Sequence, residues 1–130
     1  MADVKQGTPP ALHELEAVVM DEMWRLGSAN VRTVMEKVNE RGPKDRAYTT
    51  YMTILARLDR KGLLSRRREG KTDLYTPRMS REEYMEARAA LEVDALVEEF
   101  GDKALVHFAR QMSQLDPTRQ QRLRRLARGA

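Results

Sequence analysis

Three times between Leu12 and Leu58 the apolar residues recur at spacings of three and four, and directly afterwards the rhythm shortens around a glycine turn. A period near 3.6 marks an amphipathic helix, while short alternating runs bounded by turn residues mark strands. Leu12, Leu15, Val18, Val19, Met23 and Leu26 trace the first helix, with Trp24 near its end as a core anchor. "GSAN" breaks it, and Ser28 or Asn30 caps the second helix, carried by Val31, Val34, Met35 and Val38. "RGP" at 41–43 closes that helix, glycine at the C-terminal end and proline beyond it. Tyr51, Ile54, Leu55 and Leu58 form the buried stripe of a third helix that starts near Tyr48 and ends at Gly62. In "LLSRRREGKTDLYTP", Leu63 and Leu64 lead a strand, "EGK" turns at Gly70, and "TDLYT" returns before Pro77. Helix, helix, helix, hairpin is the order of a winged helix-turn-helix, with the third helix as reader and the hairpin as wing.

Beyond Pro77 the chain stays helical and changes character. Ser80 with Glu83 makes a capping box that opens a long helix to about Phe100. Residues 82–102 hold eight acids against one arginine. "GD" at 101–102 interrupts, Leu105, Val106, Phe108, Ala109 and Met112 mark a further helix, and Asp116 caps a last one with Pro117 at its first position. The fold class is therefore mainly α. Residues 11–78 are expected to form a winged-helix DNA-binding domain and 79–130 a helical dimerisation region. The first ten residues, polar with a double proline, are expected to be flexible.

Charge singles out the reader and wing. Residues 41–78 carry eleven Lys/Arg against four acids, whereas the whole chain is only +4, so the remainder is net acidic. Such asymmetry is the footprint of a polyanion binder. Three threonines (Thr49, Thr50, Thr53) crowd the opening turns of the third helix, although β-branched residues are poor helix formers. With the apolar stripe turned inward, Thr50, Thr53 and Arg57 share the outer face, flanked by Thr49 and Met52. The first turns of a reader helix approach base edges, and a threonine can bond a base or pack its methyl on thymine. Thr49, Thr50, Met52 and Thr53 are accordingly the candidate base contacts, with an N-cap role open for Thr49. Arg32, Arg46, Tyr48, Arg57, Arg66, Arg67, Arg68 and Lys71 are the candidate phosphate contacts; on the wing some of the arginines could instead only solvate an edge strand. Side chains 50 and 53 should lie bare beside the arginine-bearing loop as one continuous ridge. Five arginines between 119 and 128 read as a solvated helix face.

A winged helix closes its own core, so the apolar positions of the later helices need another surface. A second copy is the commonest solution, with Tyr84, Leu91, Leu96, Phe100, Leu105, Phe108 and Met112 as the candidate interface. A two-fold dimer would present two reader helices to an inverted repeat. The alternatives are a winged-helix adaptor for protein partners and a non-specific DNA-binding protein.

Other classes have little in the sequence to support them. With no cysteine, disulfides, thiolate metal sites and cysteine nucleophiles are excluded. His13 and His107 fall on separate helices, and "HELE" at 13–16 is followed by Ala17, so it is not the zinc-protease H-E-x-x-H. Neither a cofactor, a metal nor catalysis is expected. No apolar run approaches the roughly 18 residues of a membrane span, and the N-terminus lacks an apolar signal core, so a cytoplasmic protein without membrane insertion is expected.

The chain resembles the penicillinase-repressor family (BlaI/MecI type), which also includes the copper-responsive CopY repressors. "LHELEAVVMDEMW" looks like the family's opening helix, "SANVRTVMEKV" like its second and "AYTTYMTILARLDRKGLL" like its reader helix. The resemblance implies a homodimeric repressor that binds inverted TACA/TGTA half-sites on a double-stranded operator. It implies base reading by Thr50 and Thr53 and backbone contacts by Arg57 and the wing. Met52 stands where some members carry arginine. "KALVHF" resembles the segment that the β-lactam branch presents for cleavage under a membrane metalloprotease sensor, which would put a cut at His107–Phe108. There the family's asparagine is replaced by His107. The cysteine site of the CopY branch is absent.

Overall fold

The computed structural model describes residues 9–129 and contains, in order, α1 (Glu14–Leu26), α2 (Val31–Arg41), α3 (Tyr48–Arg60), β1 (Leu64–Glu69), β2 (Thr72–Pro77), α4 (Arg81–Phe100), α5 (Asp102–Ser113) and α6 (Pro117–Gly129). Two compact units result, one ending at Arg88 and the other beginning at Ala89.

The first unit is the winged helix. Val19, Met20 and Met23 of α1 meet Val34 and Val38 of α2, Tyr51, Leu55 and Leu58 of α3, and Leu63, Leu64 and Tyr75 at the hairpin. Each contributor is the inward face of an amphipathic element, which is why helix-period spacing locates the core. Asn30, not Ser28, caps α2 by accepting from the Thr33 amide at 2.9 Å. Ser28 instead shares a hydrogen bond with Thr76 at 2.8 Å. That contact accompanies a short backbone bridge: Ala29 and Tyr75 exchange both amide hydrogen bonds (3.0 and 2.9 Å), so the α1–α2 connection lies against β2 as a third, minimal strand. The hairpin itself is antiparallel, paired from Leu64–Pro77 to Glu69–Thr72. Its two-residue loop has Gly70 at positive φ (64°) in the first position, the pattern of a type II′ turn.

Two expectations are corrected here. Residues 1–8 of the segment expected to be flexible lie outside the described ones, but Pro9 and Pro10 are held. Pro9 is buried and its carbonyl accepts from Arg88 at 3.2 Å, while the Pro10 carbonyl accepts from the Tyr84 hydroxyl at 2.7 Å. Tyr84, expected at a dimer interface, is instead 5% exposed in the winged-helix core, its ring 5.6 Å from that of Trp24. The physical reason is that the first turns of α4 supply a wall that three helices and a hairpin lack. The first compact unit thus includes the opening turns of α4, ending at Arg88. The capping box that starts α4 is reciprocal, Glu83 N–H to Ser80 Oγ at 3.0 Å and Ser80 N–H to Glu83 Oε1 at 2.8 Å.

The second unit comprises the rest of α4 with α5 and α6. Asp116 caps α6 through the Arg119 amide (2.9 Å), and Gln120 closes the α5–α6 turn by donating to the Met112 and Leu115 carbonyls (2.7 and 3.0 Å). Yet no residue of α5 or α6 is buried.

The Trp24 indole donates to the Met79 carbonyl at 2.9 Å, tying the end of α1 to the segment between wing and α4. Trp24→Phe keeps an aromatic ring beside Tyr84 but loses part of the indole's volume and leaves that carbonyl without its donor. It should lower the urea-unfolding free energy, followed by circular dichroism, by about 1–2 kcal/mol; an unshifted midpoint would show that the bond contributes nothing.

Candidate nucleic-acid interface

Ala47 is the N-cap of α3, with extended backbone and no side-chain cap; its carbonyl accepts from the amides of Thr50 (3.1 Å) and Tyr51 (3.4 Å). Thr49 therefore does not serve as the cap. It lies inside the first turn with its side chain exposed, as are Met52 and Thr53, while Thr50 is half-buried. Tyr51, Leu55 and Leu58 are fully buried, and that inward stripe fixes the outward direction of the others.

The outer surface of α3 divides into two grooves, which differs from the single ridge expected. On one side Thr49, Thr50, Thr53 and Arg57 face the start of α1, lining a shallow cavity of about 440 Å³ with His13 and Leu15. On the other side Tyr48, Met52 and Ala56, four residues apart, face the wing across a cavity of about 410 Å³ that also holds Arg32, Arg66, Arg68 and Lys71. The division follows from the helix itself: at about 100° per residue, positions 48, 52 and 56 stack on one face and 49, 53 and 57 on the next. It is thus Met52, not Thr50 or Thr53, that stands beside the arginine-bearing loop.

The cations of this surface are anchored without being consumed. On the wing, Arg66 reaches Asp59 (3.8 Å), Asp73 (4.0 Å) and the Tyr75 hydroxyl (3.4 Å), and Arg68 reaches Asp73 (3.6 Å). Arg67, on the alternate side of the strand, pairs with Glu69 at 2.6 Å. The side chains of all three remain half or more exposed or close to it, at 45%, 70% and 68% for Arg66, Arg67 and Arg68. Ion pairs this exposed are worth roughly 0–1 kcal/mol, so a phosphate can compete for them. The Arg32 guanidinium lies 6.0 Å from the Tyr48 ring centroid, at the outer limit of a cation–π contact. Arg46 is half-buried, its backbone bonded to the Asn39 side chain.

Two carboxylates of α1 are buried, and no local sequence pattern marks them. Glu16 of α1, 1% exposed, accepts from Lys61 Nζ (2.8 and 2.9 Å) and from the His13 amide (3.0 Å), with Arg57 at 3.7 Å. Burial raises its pKa, but the Lys61 ammonium and the His13 amide outweigh that and hold it below the usual glutamate value. Glu22, 2% exposed, pairs with Arg25 (2.9 Å) and Arg41 (3.0 Å). Glu16 and Lys61 are 45 residues apart, and no local spacing links them. His13, which completes no zinc motif, lines the threonine-side cavity.

Among the described residues no helix is long and apolar enough to cross a membrane. The sequence profile of the penicillinase repressor family matches residues 12–128. The transcriptional regulator BlaI of Mycobacterium tuberculosis (strain CDC 1551 / Oshkosh) is 42% identical over 102 residues, covering 75% of this chain and 70% of that protein. The penicillinase repressor of Bacillus licheniformis is 30% identical over 83 residues, 62% of this chain and 61% of that protein. The solution structure of the DNA binding domain of the repressor BlaI superposes with a TM-score of 0.51 at 29% identity, covering 58% of this chain and 90% of that one.

Because the folded-state pKa of Glu16 is depressed, its contribution to stability is complete above the ordinary glutamate value and is lost as pH falls through the lowered one. Glu16→Gln should cost about 1–3 kcal/mol at neutral pH by leaving Lys61 without its counter-ion. The variant should also lose less stability than the parent as pH falls below the ordinary glutamate range. Parallel acid limbs for the two proteins would assign the pH dependence to other groups.

Proposed function

Because the chain belongs to the penicillinase repressor family, we propose that it is a sequence-specific DNA-binding transcriptional repressor that acts as a two-fold dimer on inverted-repeat operators. The observation that carries this reading is the exposed outer face of α3, where Met52 borders the cationic wing and Thr49 and Thr53 open on the other side beside Arg57. Thr49, Thr50, Met52 and Thr53 take the base-reading role. Arg32, Arg46, Tyr48, Arg57, Arg66, Arg67, Arg68 and Lys71 take the phosphates, fixing register without reading sequence. The likeness to a solved DNA-binding domain of a repressor supports the same use of the first unit. Acting on an operator places its work in the cytoplasm.

Dimerisation is supported by the incomplete second unit. Leu96, Phe100 and Leu105 are 40%, 50% and 48% exposed, Leu91, Phe108 and Met112 are half-buried, and α5 and α6 bury nothing. Helices that expose this much aliphatic surface find cover in a second copy of themselves, an isologous contact. Tyr84 takes no part, being committed to the first core. Release from DNA by a cut at His107–Phe108 under a membrane metalloprotease sensor belongs to the same reading. The bond lies within α5, His107 exposed and Phe108 half-buried, so a cut requires local unwinding and would sever the apolar strip that dimerises. Chains that stay intact on incubation with an activated sensor would remove that step.

Fluorescence anisotropy with an inverted TACA/TGTA duplex and a scrambled duplex tests the reading. Thr53→Ala should weaken the inverted repeat by about 1 kcal/mol and leave the scrambled duplex unchanged, whereas Arg67→Ala should weaken both alike. With roughly six phosphate contacts per complex, log K against log salt should fall with a slope near −5. Phe100→Asp should leave a folded monomer by light scattering. Uniform weakening by both DNA-face variants would remove the reader assignment in favour of non-specific binding; no DNA binding at all would favour an adaptor.

A further inference from the structure

The reader helix is presented by a side-chain clamp outside it. Asn39 lies in the last turn of α2, and its carboxamide reaches seven residues ahead to the segment that enters α3. Nδ2 donates to the Arg46 carbonyl at 3.1 Å, and Oδ1 accepts from the Arg46 amide at 3.0 Å. A carboxamide donates and accepts side by side in this way, as the N–H and C=O of one residue do across an antiparallel strand pair. Oδ1 accepts a second time, from the hydroxyl of the fully buried Tyr51 at 2.6 Å. Burial raises the pKa of that phenol, so it stays a donor at neutral pH.

Resting on the DNA-binding reading above, we infer that Asn39 is a positioning residue for base recognition: by clamping Arg46 and Tyr51 together it fixes where the first turn of α3 begins. Arg46 immediately precedes Ala47, the N-cap whose carbonyl starts the helix. Thr49, Thr50, Met52 and Thr53 all fall within the two turns that follow. The apolar stripe holds α3 against the core but leaves sliding and rotation of its first turn loosely determined, because aliphatic contacts are non-directional. Hydrogen bonds to both the N–H and the C=O of one residue supply the missing direction. Misplacement of a reader helix by a fraction of an ångström breaks base contacts while flexible arginines still find phosphates. Asn39 thus governs discrimination more than affinity.

The experiment compares the full chain, Asn39→Asp and Tyr51→Phe. Asn39→Asp keeps the acceptor for Arg46 and Tyr51 and sets an oxygen against the Arg46 carbonyl. Tyr51→Phe leaves the Arg46 clamp intact and removes only the third bond. Asn39→Ala is avoided because it orphans a buried phenol and endangers folding. For each protein, circular dichroism gives the melting temperature, and anisotropy gives the affinity ratio between the inverted TACA/TGTA duplex and a scrambled one, with the salt slope of each. At a temperature where all are folded, Asn39→Asp should lose the ratio about tenfold; a lower salt slope on both duplexes with the ratio kept would trace the effect to the new charge beside Arg46 and overturn the inference. Tyr51→Phe should lower the melting temperature and keep the ratio. An unchanged ratio in Asn39→Asp, whatever its melting temperature, would reduce Asn39 to a stabilising residue and overturn the inference. So would a loss in Tyr51→Phe as large as in Asn39→Asp, since the phenol would then be the positioning group. A parent protein with no preference between the two duplexes would overturn the DNA-reading role itself, and this inference with it.

Discussion

The inward stripe of α3 is the constraint on which the rest of the first unit depends. Tyr51, Leu55 and Leu58 are fully buried between α1, α2 and the hairpin, with Ile54 nearly so. A helix that commits one face this completely has no freedom in what it shows on the other. From that commitment follow the exposure of Thr49, Met52 and Thr53, the half-burial of Thr50, and the division of the outer surface into a threonine side and a methionine side. Threonine's poor helix propensity is tolerated because the helix is held by packing, and propensity is a weak term once a core exists.

Polar groups then fix what packing alone leaves loose. Glu16 and Glu22 put two carboxylates into the interior of α1, each balanced by cations whose own side chains reach the surface. Among the described residues no buried side-chain polar atom lacks a partner, which is the condition for such groups to specify one arrangement rather than destabilise it. Glu16 is the more consequential, since its partners Lys61 and Arg57 sit at the end of α3. At the other end of that helix the Asn39 clamp does the corresponding work with neutral hydrogen bonds.

The second unit is built on a different principle. Its α5–α6 turn is closed by Asp116 and Gln120, so that connection is locally well specified. Its apolar residues nevertheless remain open, and α5 and α6 have no buried member. Local order without a closed core is what supports the proposal that a second copy covers this unit. A repressor assembled this way would hold its dimer contact and its DNA contact in separate parts of the chain.

Much of this was legible in the sequence. Periodicity located all three winged-helix helices and the hairpin, "SREE" and "LDP" placed the starts of α4 and α6, and the charge bias marked the wing. These are local signals, each read within one or two turns of chain, and local backbone preference is what a sequence states directly. The tertiary structure alone decided the rest. Only the fold brings Tyr84 back onto Trp24, joins Glu16 to Lys61 across 45 residues, and lays Ala29 beside Tyr75. Only the packed angle of α3 reveals that Met52 rather than the threonines borders the wing. The physical reason is that a helix's own period fixes which residues share a face, whereas what that face meets depends on the directions of its neighbours, and those are set by contacts between residues far apart in the chain.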